Sequence, residues 1–343
     1  MEMIRFSMRE GLWLKGSLHC HSNLSDGLLS PEDIAKFYEK RGYMFLSITD
    51  HEKLTSVKSF KGIYSFGVEV SRGRGRLGEP YHIVVLGVND PKVLDIGDPQ
   101  DLIDYVNESG GLSFIAHPYW SNLVYEDLIR LNGYTGIEIY NTGCDVEVAK
   151  GYGLVYWDNL LSSNRNVKGL AVDDSHRYVR PPIDADGGYI WINVSDTRLE
   201  ETLKSIGVGR FYASMAPRIT YFHYAQNLLQ VESTPAVRLN LIAPNGKGFS
   251  MSLDTMLETL NCWRDPEKRK ICEKTITGID HVGENSRQIL SIETTNNERF
   301  TIEYNDEGIV KFEVKRNFDY PYFRVEIIDG EGRCAWTNPI SNL

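Results

Sequence analysis

Cysteine is scarce in this chain and forms no recognisable pattern. The 343 residues contain five cysteines, an odd number whose spacings match neither a zinc ribbon nor a Cys-x-x-Cys motif. A disulfide framework or a cysteine-based zinc site is therefore not expected. We interpret all five as free thiols in a reducing compartment: Cys20, Cys144, Cys262, Cys272 and Cys334.

Long apolar runs are also missing. No stretch approaches the ~18 apolar residues that a membrane span requires. Residues 1–16 are too rich in charge and too poor in apolar residues for a signal peptide. We therefore expect a cytoplasmic protein that has no membrane partner.

Positive charge is in deficit. Lysine and arginine number 37 against 47 aspartate and glutamate residues, which gives a net charge of −10. Because such a surface repels polyanions, extended nucleic-acid binding is not expected, although a locally basic active site stays open. Hydrophobic residues make up 41% and charged residues 24% of the chain, which is typical of a globular protein. The sequence does not indicate an oligomeric state.

Strand-like and helix-like segments alternate up to about residue 215. Ser30-Pro31-Glu32-Asp33 predicts the start of a helix, because it supplies an N-cap, a proline at the first helical position and acids in the first turn. Residues 43–49 form an apolar run typical of a buried strand, and residues 146–163 predict one long helix. The alternation predicts an α/β domain over residues 1–216, in which a parallel sheet closes into a TIM-like barrel of seven or eight units.

The sequence changes in character after Pro217. Several strand-like segments follow, and Asn245-Gly246 and Asp329-Gly330 are dipeptides that favour tight hairpins. We predict a small β-rich, sandwich-like domain over residues 217–343. The sequence does not indicate what this domain does.

Histidine is rare but clustered. Six of the eight histidines lie where predicted strands of the first domain begin or end. His19 and His21 follow the first strand, and both imidazoles can reach one point because extended residues i and i+2 face the same way. Carboxylates accompany the histidines at these strand ends. The whole set is His19, His21, Asp26, His51, Glu69, His82, His117, Asp174 and His176.

These nine side chains should converge, because the C-terminal ends of barrel strands meet at one pocket. Imidazoles and carboxylates crowded into one pocket need cations to offset their desolvation and the repulsion of like charges. The donor types suit zinc, manganese or iron, and nine donors are too many for one ion. We therefore predict two or three divalent metal ions.

The order and spacing of these motifs resemble the PHP (polymerase and histidinol phosphatase) family. The series HxHxxxxDG, TDH, GVE, a strand-initial His, AHP and DxH spans about residues 12–180. The resemblance implies a distorted (β/α)7 barrel with a trinuclear metal centre. It implies that the first ion is held by His19, His21, Glu69 and Asp174, the second by Glu69, His82 and His117, and the third by Asp26, His51 and His176. The short segment 335–340 resembles the C-terminal extension of CehA/McbA-type metallohydrolases.

This resemblance implies a metal-dependent hydrolase, and first of all a phosphoesterase for a small phosphomonoester or a short nucleotide. A hydroxide held between metal ions would attack phosphorus, since metal binding lowers the pKa of water. The same apparatus would also suit a carbamate, a carboxylic ester or an amide, which is the alternative that the CehA/McbA-like segment favours. A metal-stabilised scaffold without activity is the remaining alternative, and the retention of all nine positions argues against it.

Three arginines are candidates for binding the substrate anion. Arg177 and Arg180 directly follow the last motif, and Arg72 opens the loop 72–78, which contains the pattern GxGxxG. The segment after this loop predicts a strand, so a dinucleotide site is not expected, whereas a basic loop over the pocket and a plain solvated hairpin both stay open. Asp50 is expected to orient a neighbouring side chain and not to bind metal.

Overall fold

The computed structural model describes residues 11–284 and 286–341. Residues 1–10, on which most of the signal-peptide argument depends, lie outside the described residues. The chain forms two compact units, residues 11–215 and the residues from 216 onward. None of the described helices is long and apolar enough to cross a membrane. The five cysteines are free thiols, as predicted.

Within residues 11–215, nine strands form one mixed sheet. They are β1 (Leu12–Ser17), β2 (Tyr43–Ile48), β3 (Ile63–Arg72), β4 (Tyr81–Leu86), β5 (Leu112–Ile115), β6 (Gly136–Asn141), β7 (Lys168–Val172), β8 (Tyr189–Val194) and β9 (Phe211–Ser214). Hydrogen bonds join them in the order β9-β8-β1-β2-β3-β4-β5-β6-β7. The predicted α/β class is confirmed.

The prediction of a parallel sheet was only partly right. Strands β1, β2 and β3 run parallel, and so do β5, β6 and β7, but β4 is antiparallel to both of its neighbours. Residues 73–80 connect β3 to β4, and this loop is too short for a helical crossover, so the chain must reverse. Strand β8, which the sequence analysis missed, pairs antiparallel with β1 and β9.

The segments that follow β1 and β7 lie side by side. Cys20 and Ser175 form an isolated parallel bridge. The amide of His21 donates to the carbonyl of Ser175 at 2.9 Å, and the amide of Asp174 donates to the carbonyl of His19 at 2.9 Å. Strands β1 and β7 are not themselves neighbours in the hydrogen-bonded order, so the closed barrel stays a prediction.

Helices surround this sheet in the first unit: α1 (Pro31–Glu39), α2 (Pro99–Glu108), α3 (Tyr125–Arg130), α4 (Thr142–Val148), α5 (Leu154–Ser162) and α6 (Leu199–Gly207), with a short 3-10 turn at Pro91–Leu94. The predicted start of α1 is confirmed, because the Ser30 side chain accepts a hydrogen bond from the Asp33 amide. The single helix expected over residues 146–163 was wrong. Ala149, with φ of 57°, ends α4, and a Cβ on Gly153 would meet the Glu138 carbonyl at 2.3 Å, so the chain turns here at close quarters.

The core beneath the strand ends is aromatic. Tyr38 of α1 packs edge-on against Tyr43 of β2, with ring centroids 4.7 Å apart, and Phe37 packs edge-on against Tyr178 at 5.4 Å. Strands β6 and β7 are buried along their whole length. This packing holds rigid the strand ends that carry the predicted ligands.

The second unit is β-rich, as predicted. Its first sheet joins β10 (Ile219–Ala225), β11 (Leu228–Ala236), β17 (Gly308–Lys315), β16 (Arg299–Asn305), β15 (Arg287–Thr294) and β14 (Ile276–Glu284) in that order. A second set joins β13 (Gly248–Ser252), β12 (Arg238–Ile242), β18 (Tyr322–Ile328) and β19 (Cys334–Thr337), with β20 (Ile340–Ser341) on β18. Hairpins form at Asn245-Gly246 and Asp329-Gly330, as predicted. Helices α7 (Leu253–Arg264) and α8 (Pro266–Cys272) were not predicted.

Candidate metal centre

The structure brings all nine predicted ligands together at the ends of the first unit's strands. They form three overlapping groups whose ligand atoms lie within 4.8 Å of one another. The groups are His19, His21, Glu69 and Asp174; Glu69, His82 and His117; and His21, Asp26, His51 and His176. These are the three ligand sets that the family resemblance implied, with His21 added to the last.

The first group is completely buried. His19 Nε2 lies 3.0 Å from Glu69 Oε2 and 3.3 Å from Asp174 Oδ1. His21 Nε2 lies 3.1 Å from the same Glu69 oxygen and 3.0 Å from the same Asp174 oxygen. The two Nε2 atoms are themselves 3.1 Å apart.

Hydrogen bonds alone cannot satisfy this arrangement. An Nε2 atom carries at most one N–H whatever the charge of its ring, but each Nε2 here faces two carboxylate oxygens and another ring nitrogen at once. Ligand atoms held about 2.0–2.1 Å from one ion lie roughly 3.0–3.4 Å from each other. The spacing of these four donors therefore fits a bound divalent cation.

Glu69 connects the first group to the second. Its Oε1 lies 2.7 Å from His82 Nδ1 and 3.2 Å from His117 Nε2, while its Oε2 belongs to the first group. On the far side, His117 Nδ1 lies 3.0 Å from Ser121 Oγ. One carboxylate that offers one oxygen to each of two groups is suited to bridge two ions.

The third group lies nearer the solvent. Asp26 Oδ2 is 3.5 Å from His51 Nε2 and 3.4 Å from His176 Nε2. Asp26 Oδ1 is 3.7 Å from the buried Nδ1 of His21. The Asp26 side chain is 52% exposed, so this group opens toward the pocket mouth.

The electrostatics of the site are those of a cation site. Burial alone would lower the pKa of His21, but hydrogen bonds and charge from Asp174 and Glu69 raise it to about 9. Burial likewise works against the ionised form of Glu69, but the surrounding histidines hold the pKa of its carboxyl well below the usual value. In the metal-free chain these two carboxylates thus favour the protonated form of His21, and a divalent ion would displace that proton.

Two buried residues that the sequence analysis missed hold the ligands in place. Glu138 Oε1 lies 2.7 Å from His19 Nδ1, and Glu138 Oε2 accepts from the backbone amide of His117 at 2.7 Å. Asn141 Nδ2 donates to Glu138 at 2.9 Å and to Asp174 Oδ2 at 3.1 Å. Such contacts fix the ring orientation and leave His19 Nε2 directed at the first group.

The signal for Glu138 was present in the sequence. Residues 136–141 read GIEIYN, and an acidic residue inside an otherwise apolar, buried strand is rare unless it has a partner.

Asp50 and Asp173 have supporting positions. Asp50 accepts from the Ser22 amide at 2.6 Å and from Ser25 Oγ at 2.8 Å, and so ties down the loop that carries Asp26. The orienting role expected of Asp50 stays a prediction. Asp173 is fully buried and accepts from the amides of residues 186, 187 and 188, which fixes the segment that carries Asp174.

Two of the predicted ligands have backbones in the left-handed region. His117 has φ of 24° and Asp174 has φ of 52°. Neither residue is glycine, so each conformation costs free energy that the surrounding structure must offset. The strained backbone thus lies at two residues whose side chains are members of the donor groups.

A pocket of about 390 Å³ opens over the groups. Arg177 and Arg180 line it beside Leu28, Trp120 and Glu147. Arg177 Nη2 is bound to Glu147 Oε1 at 2.5 Å.

The structure contradicts the proposed role of Arg72 as an anion contact. Arg72 is not among the pocket's lining residues. Its guanidinium is committed to Glu52 and to the carbonyls of Leu94 and Ile96. The glycine-rich loop that begins at Arg72 leads into β4 and not into a helix, as expected.

The chain is similar in sequence to a curated protein and in structure to several solved structures. No model of a known protein family matches the chain. The chain is 32% identical over 120 residues to uncharacterized protein MJ1587 of Methanocaldococcus jannaschii, which covers 31% of this chain and 68% of that protein.

A two-domain protein from Bacteroides vulgatus ATCC 8482, which contains a predicted PHP-like metal-dependent phosphoesterase, matches 96% of this chain and 94% of its own. The TM-score is 0.50 and the identity 16%, so the shared feature is the fold. A putative metal-dependent phosphoesterase from Bifidobacterium adolescentis ATCC 15703 covers 50% of this chain and 91% of its own at 14% identity. Its TM-score of 0.39 is too low to establish a common fold.

Proposed function

This chain belongs to the family of uncharacterized protein MJ1587, and from its nine converging side chains we propose that it is a metal-dependent hydrolase of small phosphate esters. The observation that carries the proposal is the set of three overlapping donor groups at the base of a pocket that also contains two arginines. Glu69 is common to the first and second groups, and His21 is common to the first and third. Two or three divalent ions, of zinc, manganese or iron, suit these donors. The PHP-like fold of the Bacteroides vulgatus protein supports the same assignment.

The chain's own residues have distinct roles in this proposal. When bound, divalent ions lower the pKa of water and stabilise the charge that develops on phosphoryl oxygens. Glu69 holds the first two groups at a fixed separation through its two carboxylate oxygens. Glu138 keeps the His19 ring oriented, and Asp50 holds the Asp26 loop. Arg177 and Arg180 bind the phosphate oxygens that face away from the metal groups.

A phosphate substrate is favoured over other esters by the two arginines that line the pocket. Arg177 and Arg180 supply positive charge at the wall, which a phosphate dianion needs and a neutral ester does not. The pocket volume of about 390 Å³ suits a small molecule. The net charge of −10 disfavours a long nucleic acid, so a phosphomonoester or a short nucleotide is the proposed substrate.

A second candidate is hydrolysis of a carbamate, carboxylic ester or amide. Leu28 and Trp120 line the same pocket and would accommodate an apolar leaving group. The resemblance of residues 335–340 to the C-terminal extension of CehA/McbA-type metallohydrolases supports this second candidate.

We also propose a fold for each unit and a cellular location for the chain. The bridge between Cys20 and Ser175 supports a distorted (β/α)7 barrel, and the two sets of strands in the second unit support a small sandwich. The five free cysteines support a reducing, cytoplasmic environment.

The test is a side-by-side assay of an aryl phosphate and the matching aryl ester, with Mn²⁺ or Zn²⁺ added to the metal-free protein. We expect phosphate release that stops when a chelator is added. Ester cleavage without phosphate release would replace the first candidate with the second. Metal uptake without turnover of any phosphomonoester, nucleotide or ester would contradict both candidate activities. A metal-stabilised scaffold without activity would then be the remaining alternative.

A further inference from the structure

The ring of His21 presents a different nitrogen to each of two donor groups. Its Nε2 faces Glu69 and Asp174 in the first group, at 3.1 and 3.0 Å. Its Nδ1 faces Asp26 Oδ1, in the third group, at 3.7 Å. Although Nδ1 is buried, it has no hydrogen-bond partner among the described residues.

A buried ring nitrogen without a partner is costly, and 3.7 Å is too long for a hydrogen bond. No other side chain in the part of the chain that the structure describes supplies a partner. The rings of His51 and His176 flank His21, with centroids 4.4 and 4.2 Å from its own, and their Nε2 atoms face Asp26. All four donors lie within 4.8 Å of one another. A cation among them would meet Nδ1 and relieve the unsatisfied atom.

We propose that His21 is a ligand shared by two metal ions, with Nε2 serving the first group and Nδ1 serving the third. The third group then has four donors, enough for a complete tetrahedral shell, in place of the three that the family resemblance assigns to it. Coordination through both nitrogens releases the remaining ring proton to solvent. Occupation of the first and third groups is thereby coupled through one imidazole. The inference rests on the metal binding in the proposed function but not on the reaction.

Two amide substitutions separate the two nitrogens. The side-chain oxygen of asparagine is as many bonds from Cβ as His21 Nδ1, and that of glutamine is as many as Nε2. His21→Gln therefore keeps a donor for the first group and removes the one for the third, whereas His21→Asn does the reverse. His51→Ala is the matched control, because His51 is a member of the third group and not of the other two, although its Nδ1 also lies 3.3 Å from Glu69 Oε2.

The readout is zinc affinity, measured by competition with a chelator and by zinc content. We expect the wild type to take up three zinc ions per chain and His21→Gln to release one of them at a free zinc concentration more than about tenfold higher. Adding His21→Gln to His51→Ala should release no further zinc, because the third group is already disrupted. Adding His21→Gln to His82→Ala should still release the ion of the third group, because His82 belongs to the second group. Unchanged affinity in His21→Gln, an undiminished effect in His51→Ala, or a wild type that binds only two ions would overturn the proposal.

A second measurement does not depend on any variant folding. In crystals of the zinc-loaded wild type, anomalous scattering should place one ion about 2.0–2.1 Å from each ring nitrogen of His21. An ion at Nε2 alone, with Nδ1 hydrogen-bonded to Asp26, would contradict the shared-ligand assignment. Zinc content and ion positions are independent of turnover, so these results would stand even if no phosphate ester were hydrolysed.

Discussion

The buried acids Glu303 and Glu326 of the second unit have partners of a different kind from those of Glu69 in the first unit. In the second unit, Glu303 is paired with Arg287, and Glu326 accepts from the indole N–H of Trp336 at 2.6 Å and from Asn240 at 2.7 Å. In the first unit, Glu69 is 1% exposed and is surrounded by five imidazoles, and no arginine or lysine among the described residues is its partner.

The difference separates a structural acid from a ligand. A structural carboxylate is satisfied by its own permanent donors, as Glu326 is. A carboxylate surrounded by imidazoles is satisfied only when protons or metal ions supply the positive charge. Among the described residues, the groups able to hold a metal all lie in the first unit.

Glu69→Gln should have the largest effect on metal binding and hydrolysis of the substitutions proposed here. The substitution keeps the shape of the side chain but removes the charge that two donor groups share. We expect hydrolysis to fall by more than the ~100-fold that is the upper range for residues that only support ligands. Glu326→Gln in the second unit is the control and should leave metal content and turnover unchanged. Near-normal turnover in Glu69→Gln would refute the assignment of the centre.

Removing the metal should loosen one unit and spare the other. Ligand binding stabilises by about 4 kcal/mol when free metal is 1,000 times the Kd, so chelation should expose the first unit's strand ends. Hydrogen exchange followed by mass spectrometry should show lost protection in peptides containing residues 19–26 and 174–176. Peptides from residues 288–315 serve as the internal control. Equal loss of protection in both units would mean that the metal does not act locally.

Replacing Glu138 should have an intermediate effect. Glu138→Gln weakens the contact that orients His19, so we expect metal affinity to fall by about 10–100-fold with the fold intact. Glu313→Gln is the matched change in the second unit, where Glu313 accepts from Gln230 at 2.8 Å. Metal titration of both variants separates a positioning role from general destabilisation, since only Glu138→Gln should bind metal more weakly at an unchanged melting temperature.

Arg177 should affect substrate binding more than metal binding. A hydrogen bond to a charged group contributes about 1.5–3 kcal/mol, so Arg177→Ala should raise KM roughly 10–100-fold while metal content stays constant. Arg72→Ala is the control within the same unit, and it should lower the melting temperature without raising KM. If Arg72→Ala raised KM as much as Arg177→Ala, the placement of the anion site would be wrong.

The smallest effect is expected for the two histidines of the second unit. His223 lies on β10, and His281 lies between Arg264 and the Tyr304 hydroxyl at 3.2 and 3.1 Å. We expect His223→Ala and His281→Ala to retain full metal content and activity. A loss of metal from either variant would show that the second unit also carries ligands.

The sequence predicted the nine side chains because they fall in short motifs within or close after strands, and such motifs and period-two patterning are local. It could not predict how they are supported. Glu138 and Asn141 act through contacts with residues far away in the chain, such as His19 and Asp174, and these contacts exist only once β6 lies between β5 and β7.

The errors in the fold prediction have similar causes. The direction of β4 depends on the length of the loop before it, which a strand pattern does not encode. The break between α4 and α5 depends on Ala149 entering the left-handed region and on the close approach of Gly153 to β6. The sequence did not show that the Arg72 guanidinium donates hydrogen bonds to the carbonyls of residues 94 and 96. These contacts are made between segments about 20 residues apart in the chain.

The most direct test of the account is a calorimetric titration of Zn²⁺ into the metal-free wild-type chain and into Glu69→Gln. The account predicts saturable binding of two or three ions per wild-type chain, together with weaker binding of fewer ions by Glu69→Gln. A wild-type chain that binds no zinc beyond the level of Glu69→Gln would show that the imidazoles and carboxylates of the first unit satisfy one another through protons alone.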